Sequence, residues 1–280
     1  MRPTLADYEL VGARSLDDVL AALAGGDVRP LAGGTDVMVM LAAGKLAHHR
    51  WVSIWGLPEL RGIEVTPDAV TLGALTTYSD VRAAEVLRAE FPMLVQAASE
   101  TGGWAIQNRG TIGGNIANAS PAADSPPALL AYSAEVELRS RAGARWVDYA
   151  TYHTGYTQTV LRPDELVARV RLPRAAGARV HFYRKVGPRR AQAISKVCFA
   201  GCADLAGDRV ASARIALGGV APIVVRCPAA ESQIVAGDPA AALGPEIAPI
   251  DDVRSSARYR RRVADSLLHE FRRAIAERSP

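Results

Sequence analysis

Two short stretches decide the fold: Leu31-Ala32-Gly33-Gly34-Thr35-Asp36-Val37, and further along Asn108-Arg109-Gly110-Thr111-Ile112-Gly113-Gly114-Asn115. The first sits between an apolar run, Val28 to Leu31, that reads as a strand, and Val37 to Ala43, which reads as a helix ended by Gly44. Glycines at such a corner let the backbone approach a bulky anion and adopt positive φ. The helix start adds free N–H groups and the positive end of its dipole, and Thr35 adds a hydroxyl donor. The corner suits a pyrophosphate. Alone it leaves an ordinary Gly-Gly turn open as well. Neither stretch carries Gly-x-Gly-x-x-Gly or a Walker lysine, which argues against a Rossmann or P-loop site.

The second stretch runs on through Ile116-Ala-Asn118 and Ala119-Ser-Pro-Ala-Ala-Asp124. A tight Asn/Gly turn capped by a helix is one reading. It does not explain why so much turn-forming sequence lies beside Ile106, Ile112 and Ile116. An extended loop from Gly102 to Pro127 that lines a ligand explains both features.

Outward from these loops, Ser15 caps a helix with Asp17 and Asp18 in its first turn and an apolar face of Leu16, Val19, Leu20 and Leu23, stopped at Gly25-Gly26. Trp51 to Ile54 reads as a buried strand. Gly62 to Val65 and Val70 to Gly73 flank a Thr-Pro-Asp turn and predict a hairpin. Ser79 with Asp80 is expected to cap a helix through about Glu90, followed by another from Pro92 to Glu100. A second hairpin is expected from Ala134 to Arg139 and Arg145 to Tyr149, and a strand over Leu166 to Leu172. Past a boundary near Arg174 come β-rich stretches at Val180 to Lys185, Ser195 to Leu205 and Val210 to Leu217, then a final helix from Val253 to Glu277. Both halves are therefore expected to be α+β.

The chain has 280 residues, 49% hydrophobic and 22% charged, with formal net charge +4. That length suits two domains and that composition a packed globular protein. No apolar run approaches a bilayer span, and the N-terminus lacks a secretory apolar region, so the expected setting is cytoplasmic. Arg258, Arg260, Arg261 and Arg262 head the final helical pattern and read as a solvated face, with a partner-docking patch as the alternative. Without interleaved aromatics they make nucleic-acid binding a poor reading. Cys198, Cys202 and Cys227 form no Cys-x-x-Cys. On a strand the first two would lie about 13 Å apart, so they read as packing thiols, with no iron–sulfur cluster or zinc held by this chain. The five histidines, His48, His49, His153, His181 and His269, form no evident triad or metal set.

The pair Ala32–Asp36 and Thr111–Asn115, with the Asn-Arg-Gly lead-in, the Ser-Pro-Ala-Ala-Asp follow-on and Phe182-Tyr-Arg-Lys-Val-Gly-Pro-Arg-Arg190, resembles the FAD-binding (medium) subunit of the xanthine dehydrogenase and carbon monoxide dehydrogenase family of molybdenum hydroxylases. The resemblance runs nearly end to end. It implies a two-subdomain FAD-binding fold of the vanillyl-alcohol-oxidase/PCMH type over residues 1–174 and a C-terminal α+β domain over 175–280. It implies FAD in this chain, [2Fe-2S] clusters in a small partner subunit and a molybdenum cofactor in a large one. The assembly would be a heterotrimer or a dimer of heterotrimers, with NAD, a quinone or oxygen as acceptor. By the same resemblance, residues 31–37 and 111–115 hold the pyrophosphate and ribityl portion. Asp124 accepts from a sugar hydroxyl, since a carboxylate against pyrophosphate would be repelled. Lys185 lies near the flavin, where a cation stabilises charge built on reduction. Leu166 packs under the flavin or adenine, and Tyr183 and Ile106 flank the ring. No catalytic base is required of this chain. A departure follows Arg189-Arg190: many relatives carry an acid nearby, and this chain reads Ala191-Gln192-Ala193-Ile194-Ser195. A stand-alone flavoenzyme of the same architecture is the alternative.

Overall fold

The computed structural model describes residues 5–189 and 192–278. Its first unit contains β1 (Glu9–Gly12), α1 (Leu16–Ala24), β2 (Arg29–Leu31), α2 (Thr35–Ala42) and β3 (Arg50–Ser53). The strands form a parallel sheet in the order β1-β3-β2. Ser15 and Asp18 close a capping box on α1, satisfying donors that the first turn leaves free. Leu16, Val19, Leu20 and Leu23 repeat at helical spacing and bury one face against Val52, Ile54, Leu57 and Leu60. Each such side chain contributes about 1.5–3 kcal/mol relative to exposure.

The second unit comprises β4 (Ile63–Val65), β5 (Ala69–Gly73), α3 (Tyr78–Ala83), α4 (Glu85–Glu90), α5 (Pro92–Glu100), α6 (Trp104–Gln107), α7 (Ile112–Asn118), α8 (Ser125–Ala131), β6 (Glu135–Ser140), β7 (Gly143–Asp148), β8 (His153–Gly155), β9 (Gln158–Thr159) and β10 (Leu166–Pro173). An antiparallel sheet runs β4-β5-β10-β6-β7. Val70, Leu72, Val136, Leu138, Val170 and Leu172 alternate onto one buried face, as the two-residue period of a strand requires. Helices α5, α7 and α8 supply its cover through Leu94, Ile112, Ile116 and Leu129.

The last unit is an antiparallel sheet of β11 (Arg179–Val186), β12 (Val197–Ala206), β13 (Arg209–Gly218) and β14 (Val225–Arg226), with α9 (Pro228–Val235) and α10 (Ala257–Ala276). Both faces of β12 are buried. Cys198, Ala200 and Cys202 join the core shared with α5 and α8. Val197, Phe199 and Ala203 join a second core with Leu267, Leu268 and Phe271 of α10. The three cysteines are free and buried, and burial raises each thiol above its ordinary value.

Four expectations need correction. Thr77, not Ser79, caps the helix after β5, because Thr77 and Asp80 stand at the N-cap to N3 spacing of a reciprocal capping box. That helix also breaks at Ala84, whose extended backbone separates α3 from α4. The stretch from Gly102 to Pro127 is no extended loop. It folds into α6, α7 and the start of α8, with Thr111 capping α7 by accepting from the Gly114 N–H. Finally, α10 begins at Ala257, after a turn pairing Asp252 with Ser255, and its arginines are not simply a solvated face. Arg260 is 3% exposed and is tied to Asp252 and to the carbonyls of Lys196 and Gly219.

Candidate functional site

The two glycine stretches meet. Ile112 donates its backbone N–H to Thr76 O and Gly113 to Ala74 O, while Tyr78 N donates to Gly110 O. These bonds pin the second stretch to the segment after β5. The first stretch then packs directly on it. A Cβ at Gly33 would stand 1.6 Å from the Arg109 carbonyl oxygen, so only glycine allows this approach. Arg109 Nε also points at Gly33 O, at 3.4 Å, and its guanidinium lies 3.8 Å over the Trp55 ring. Gly34 has φ +77° and occupies the N-cap of α2 without any side-chain cap. A left-handed residue there turns the strand into the helix and leaves the first-turn N–H groups uncapped.

Between the stretches opens a cavity of about 580 Å³, within the usual range for cofactor sites. Its walls include Leu31 to Val37, Thr111, Gly113, Gly114, Asn115 and Leu166. Trp51 and Ile54 come from the first sheet, Ala74, Leu75 and Tyr78 from the segment after β5, and Thr157 and Thr159 from the β8–β9 hairpin. Two arginines, Arg29 and Arg162, two carboxylates, Asp36 and Glu165, and His48 also line it. Burial, helped by Arg29, lowers the His48 imidazole below its ordinary value.

Five of the residues singled out from sequence do not form the cavity wall. Ile112 is fully buried in the shared core. Ile106 lies on the surface, 38% exposed. Asp124, Tyr183 and Lys185 assemble a buried network instead. Lys185 Nζ stands 2.6 Å from Asp124 Oδ2 and donates to Glu100 O. Ser195 donates to Asp124 Oδ1, and Thr101 lies 3.4 Å from Oδ2. Tyr183 donates to the Asp124 carbonyl. Burial raises the Asp124 carboxyl, and Lys185, Ser195 and Thr101 pull against that rise. Of the departure from the family pattern, Arg190 and Ala191 lie outside the described residues.

Sequence reasoning passed over Tyr78, Arg109, Trp51 and the β8–β9 hairpin. Arg109 stood inside the quoted motif and could have been found there; the others reach the cavity only through tertiary packing. Among the described residues no group of His, Cys, Asp and Glu is placed to hold a metal ion, and no helix is long and apolar enough to cross a membrane.

A parallel three-stranded unit and an antiparallel five-stranded unit that grip one cavity with glycine loops define an FAD-binding module. Residues 6–175 match the model of the FAD binding domain in molybdopterin dehydrogenase, and residues 182–275 that of the CO dehydrogenase flavoprotein C-terminal domain. The chain belongs to the family of FAD-binding subunits of the molybdenum hydroxylases, and its fold is the PCMH-type FAD-binding fold followed by a C-terminal α+β domain. It is 31% identical over 279 residues to the glyceraldehyde dehydrogenase medium chain of Sulfolobus acidocaldarius, covering 96% of this chain and 99% of that one. It is 34% identical to the xanthine dehydrogenase FAD-binding subunit of Escherichia coli O157:H7, covering 78% and 76%. Among solved structures, carbon monoxide dehydrogenase from Hydrogenophaga pseudoflava matches with TM-score 0.92 at 28% identity, over all of both chains.

Proposed function

We propose that this chain is the electron-relaying subunit of a molybdenum hydroxylase complex. It would bind one FAD across the cavity and stand between the [2Fe-2S] clusters of a small subunit, fed by the molybdenum cofactor of a large subunit, and an acceptor such as NAD or a quinone. The observation that carries this reading is the direct contact of Gly33 with Arg109, which joins both glycine stretches into one cradle. The cradle fits a pyrophosphate: the uncapped start of α2 and Thr35 line the cavity, and the missing side chain at position 33 lets the first stretch pack on the Arg109 backbone. Bound FAD supplies the ability to take electrons singly and to release them singly or in pairs.

The chain's own residues bind, orient and shield. Residues 31–37 and 111–115 hold the pyrophosphate and ribityl portion, and Leu166 packs under a ring. The Asp124–Lys185 pair and Tyr183 support the flavin end from behind the cavity wall, with Ile106 at its outer edge. The boundary near residue 174 separates the flavin-gripping domain from the C-terminal one, and we take the complex to be a cytoplasmic heterotrimer or a pair of them.

The test is colour followed by company. Purified native chain is expected to be yellow, releasing one FAD on denaturation. A tagged pull-down is expected to bring a small iron–sulfur chain and a large molybdenum-bearing chain. Colourless protein that takes up no added FAD would refute the flavin role. Reduction of a small substrate by the isolated chain would point instead to a stand-alone flavoenzyme.

A further inference from the structure

The two carboxylates on the cavity wall, Asp36 and Glu165, face a space that an anionic dinucleotide would fill. Asp36 stands in the first turn of α2, where the positive end of the helix dipole offsets its charge. Glu165 lies in the connection between β9 and β10 and is offset by a side chain. Arg145, from the edge strand β7, donates from Nε to Glu165 Oε1 at 2.7 Å and from Nη2 to Oε2 at 2.8 Å. The Glu165 side chain is 4% exposed, so solvent screens this pair little. The bond to Arg145 holds the Glu165 carboxyl below its ordinary value.

The same guanidinium fastens the wall. Its Nη2 also donates to Val160 O at 2.8 Å, and Glu165 Oε2 accepts from the Arg162 N–H at 2.8 Å. The Glu165 N–H returns to Arg162 O. Residues 160–165 are thereby tied near both ends to one side chain of β7. Leu161, Arg162 and Pro163 of this segment, and Leu166 after it, line the cavity, whereas Arg145 stands outside the wall.

We propose that Arg145 is a positioning residue for the cofactor: through Glu165 it fixes the wall at residues 160–166 and cancels a carboxylate charge that would otherwise repel the dinucleotide phosphates. The proposal rests on the FAD reading given above and adds a residue outside the cavity to those that govern affinity. A wall held in place before binding spares the cost of ordering it afterwards. A carboxylate left unpaired on that wall would act across the cavity, because charges out of bulk water interact strongly.

The test compares three variants of the full chain: Arg145→Gln, Arg145→Lys, and Arg145→Gln combined with Glu165→Gln. FAD affinity is read by titrating apoprotein and following quenching of flavin fluorescence, at low and at high sodium chloride. Thermal melting reports integrity. Arg145→Gln is expected to weaken FAD binding about ten-fold at low salt. High salt is expected to remove most of that penalty, because screening acts on an unpaired charge and not on a loosened wall. Arg145→Lys keeps the charge without the two-bond geometry and is expected to lose less. The double variant is expected to regain most of what Arg145→Gln loses. A clamp that served structure alone would give a penalty that salt leaves unchanged and that the second substitution does not relieve; either result overturns the proposal, as does native affinity in Arg145→Gln. If Arg145→Gln fails to fold, the double variant decides: with both charges gone it must bind FAD within a few-fold of native, and a ten-fold loss there is refutation. If the unaltered chain takes up no FAD at all, the functional reading itself fails, and that outcome is separable from the others.

Discussion

Replacing Gly33 with alanine adds a single methyl group, yet the geometry makes it decisive. The new Cβ would lie 1.6 Å from Arg109 O and 2.5 Å from Arg109 C. Both are backbone atoms, so no side-chain rotation relieves the clash. To reach ordinary contact, at about 3.4 Å or beyond, the two stretches must separate by nearly 2 Å. The second stretch cannot yield cheaply, because Gly110, Ile112 and Gly113 are bonded to the segment from Ala74 to Tyr78. The first must therefore swing outward, carrying the α2 N-terminus with it. Binding constellations tolerate displacements of only about 0.5 Å, so FAD affinity is expected to fall at least 100-fold. Gly34→Ala is the control. Its added Cβ would meet only side-chain carbons, at 3.8 Å or more, and the cost is the left-handed backbone alone, about 1 kcal/mol. Gly34→Ala is expected to keep FAD while melting a few degrees lower. Flavin per chain by absorbance, with far-UV circular dichroism for integrity, measures both. Full flavin occupancy in Gly33→Ala would refute the cradle.

Acid sensitivity should be traceable to His181. Tyr132 accepts from Met93 N and lies 3.0 Å from His181 Nδ1, so the phenol hydrogen is directed to a neutral imidazole. Burial first, then Arg179, lowers the His181 pKa to about 4, against 6.5 unfolded. A base held neutral contributes its stability in full above the unfolded pKa and loses it as pH falls toward the folded one. Between pH 6.5 and 4 that loss amounts to roughly 3 kcal/mol. Urea unfolding at pH 7 and pH 4.5 should show a smaller drop for His181→Gln than for native protein; equal drops would exclude His181 as a source. The Asp124–Lys185 pair is expected to show its cost on breaking: Lys185→Met leaves Asp124 buried beside two hydroxyls alone and should lose about 3–5 kcal/mol. Adding Asp124→Asn should recover part of it, and no recovery in denaturant unfolding would mean the two charges are not energetically coupled.

What the sequence reveals follows from where each signal is stored. Helix α1, the β4–β5 and β6–β7 hairpins, β10 and the strands β11 to β13 are written locally, in apolar period and in turn residues, and they appear within one or two residues of the expected positions. Helix α7 is not so written. Ile-Gly-Gly-Asn-Ile-Ala-Asn has poor intrinsic helix propensity, and the segment is helical because Thr111 caps it, Gly113 N is tethered to Ala74 O, and Ile112 and Ile116 are buried. Its glycines serve packing, a purpose that a propensity reading mistakes for looseness. The same distinction separates the legible from the illegible half of the site. The glycine stretches are contiguous and announce themselves. The residues that fix them do not: Tyr78, at the start of α3, donates its backbone N–H to Gly110 O, and Ser125, at the start of α8, lies 2.5 Å from Asn115 Oδ1, contacts that exist only once α3 and α8 have packed. Arg260 shows the rule in reverse. One arginine among four looks like surface charge until Asp252, Gly219 and Lys196, from three separate segments, enclose it. A buried cation must find such partners or destabilise the fold. Which arginine of a basic run is structural is thus a property of the loops that meet it, and no periodicity within α10 could have singled it out.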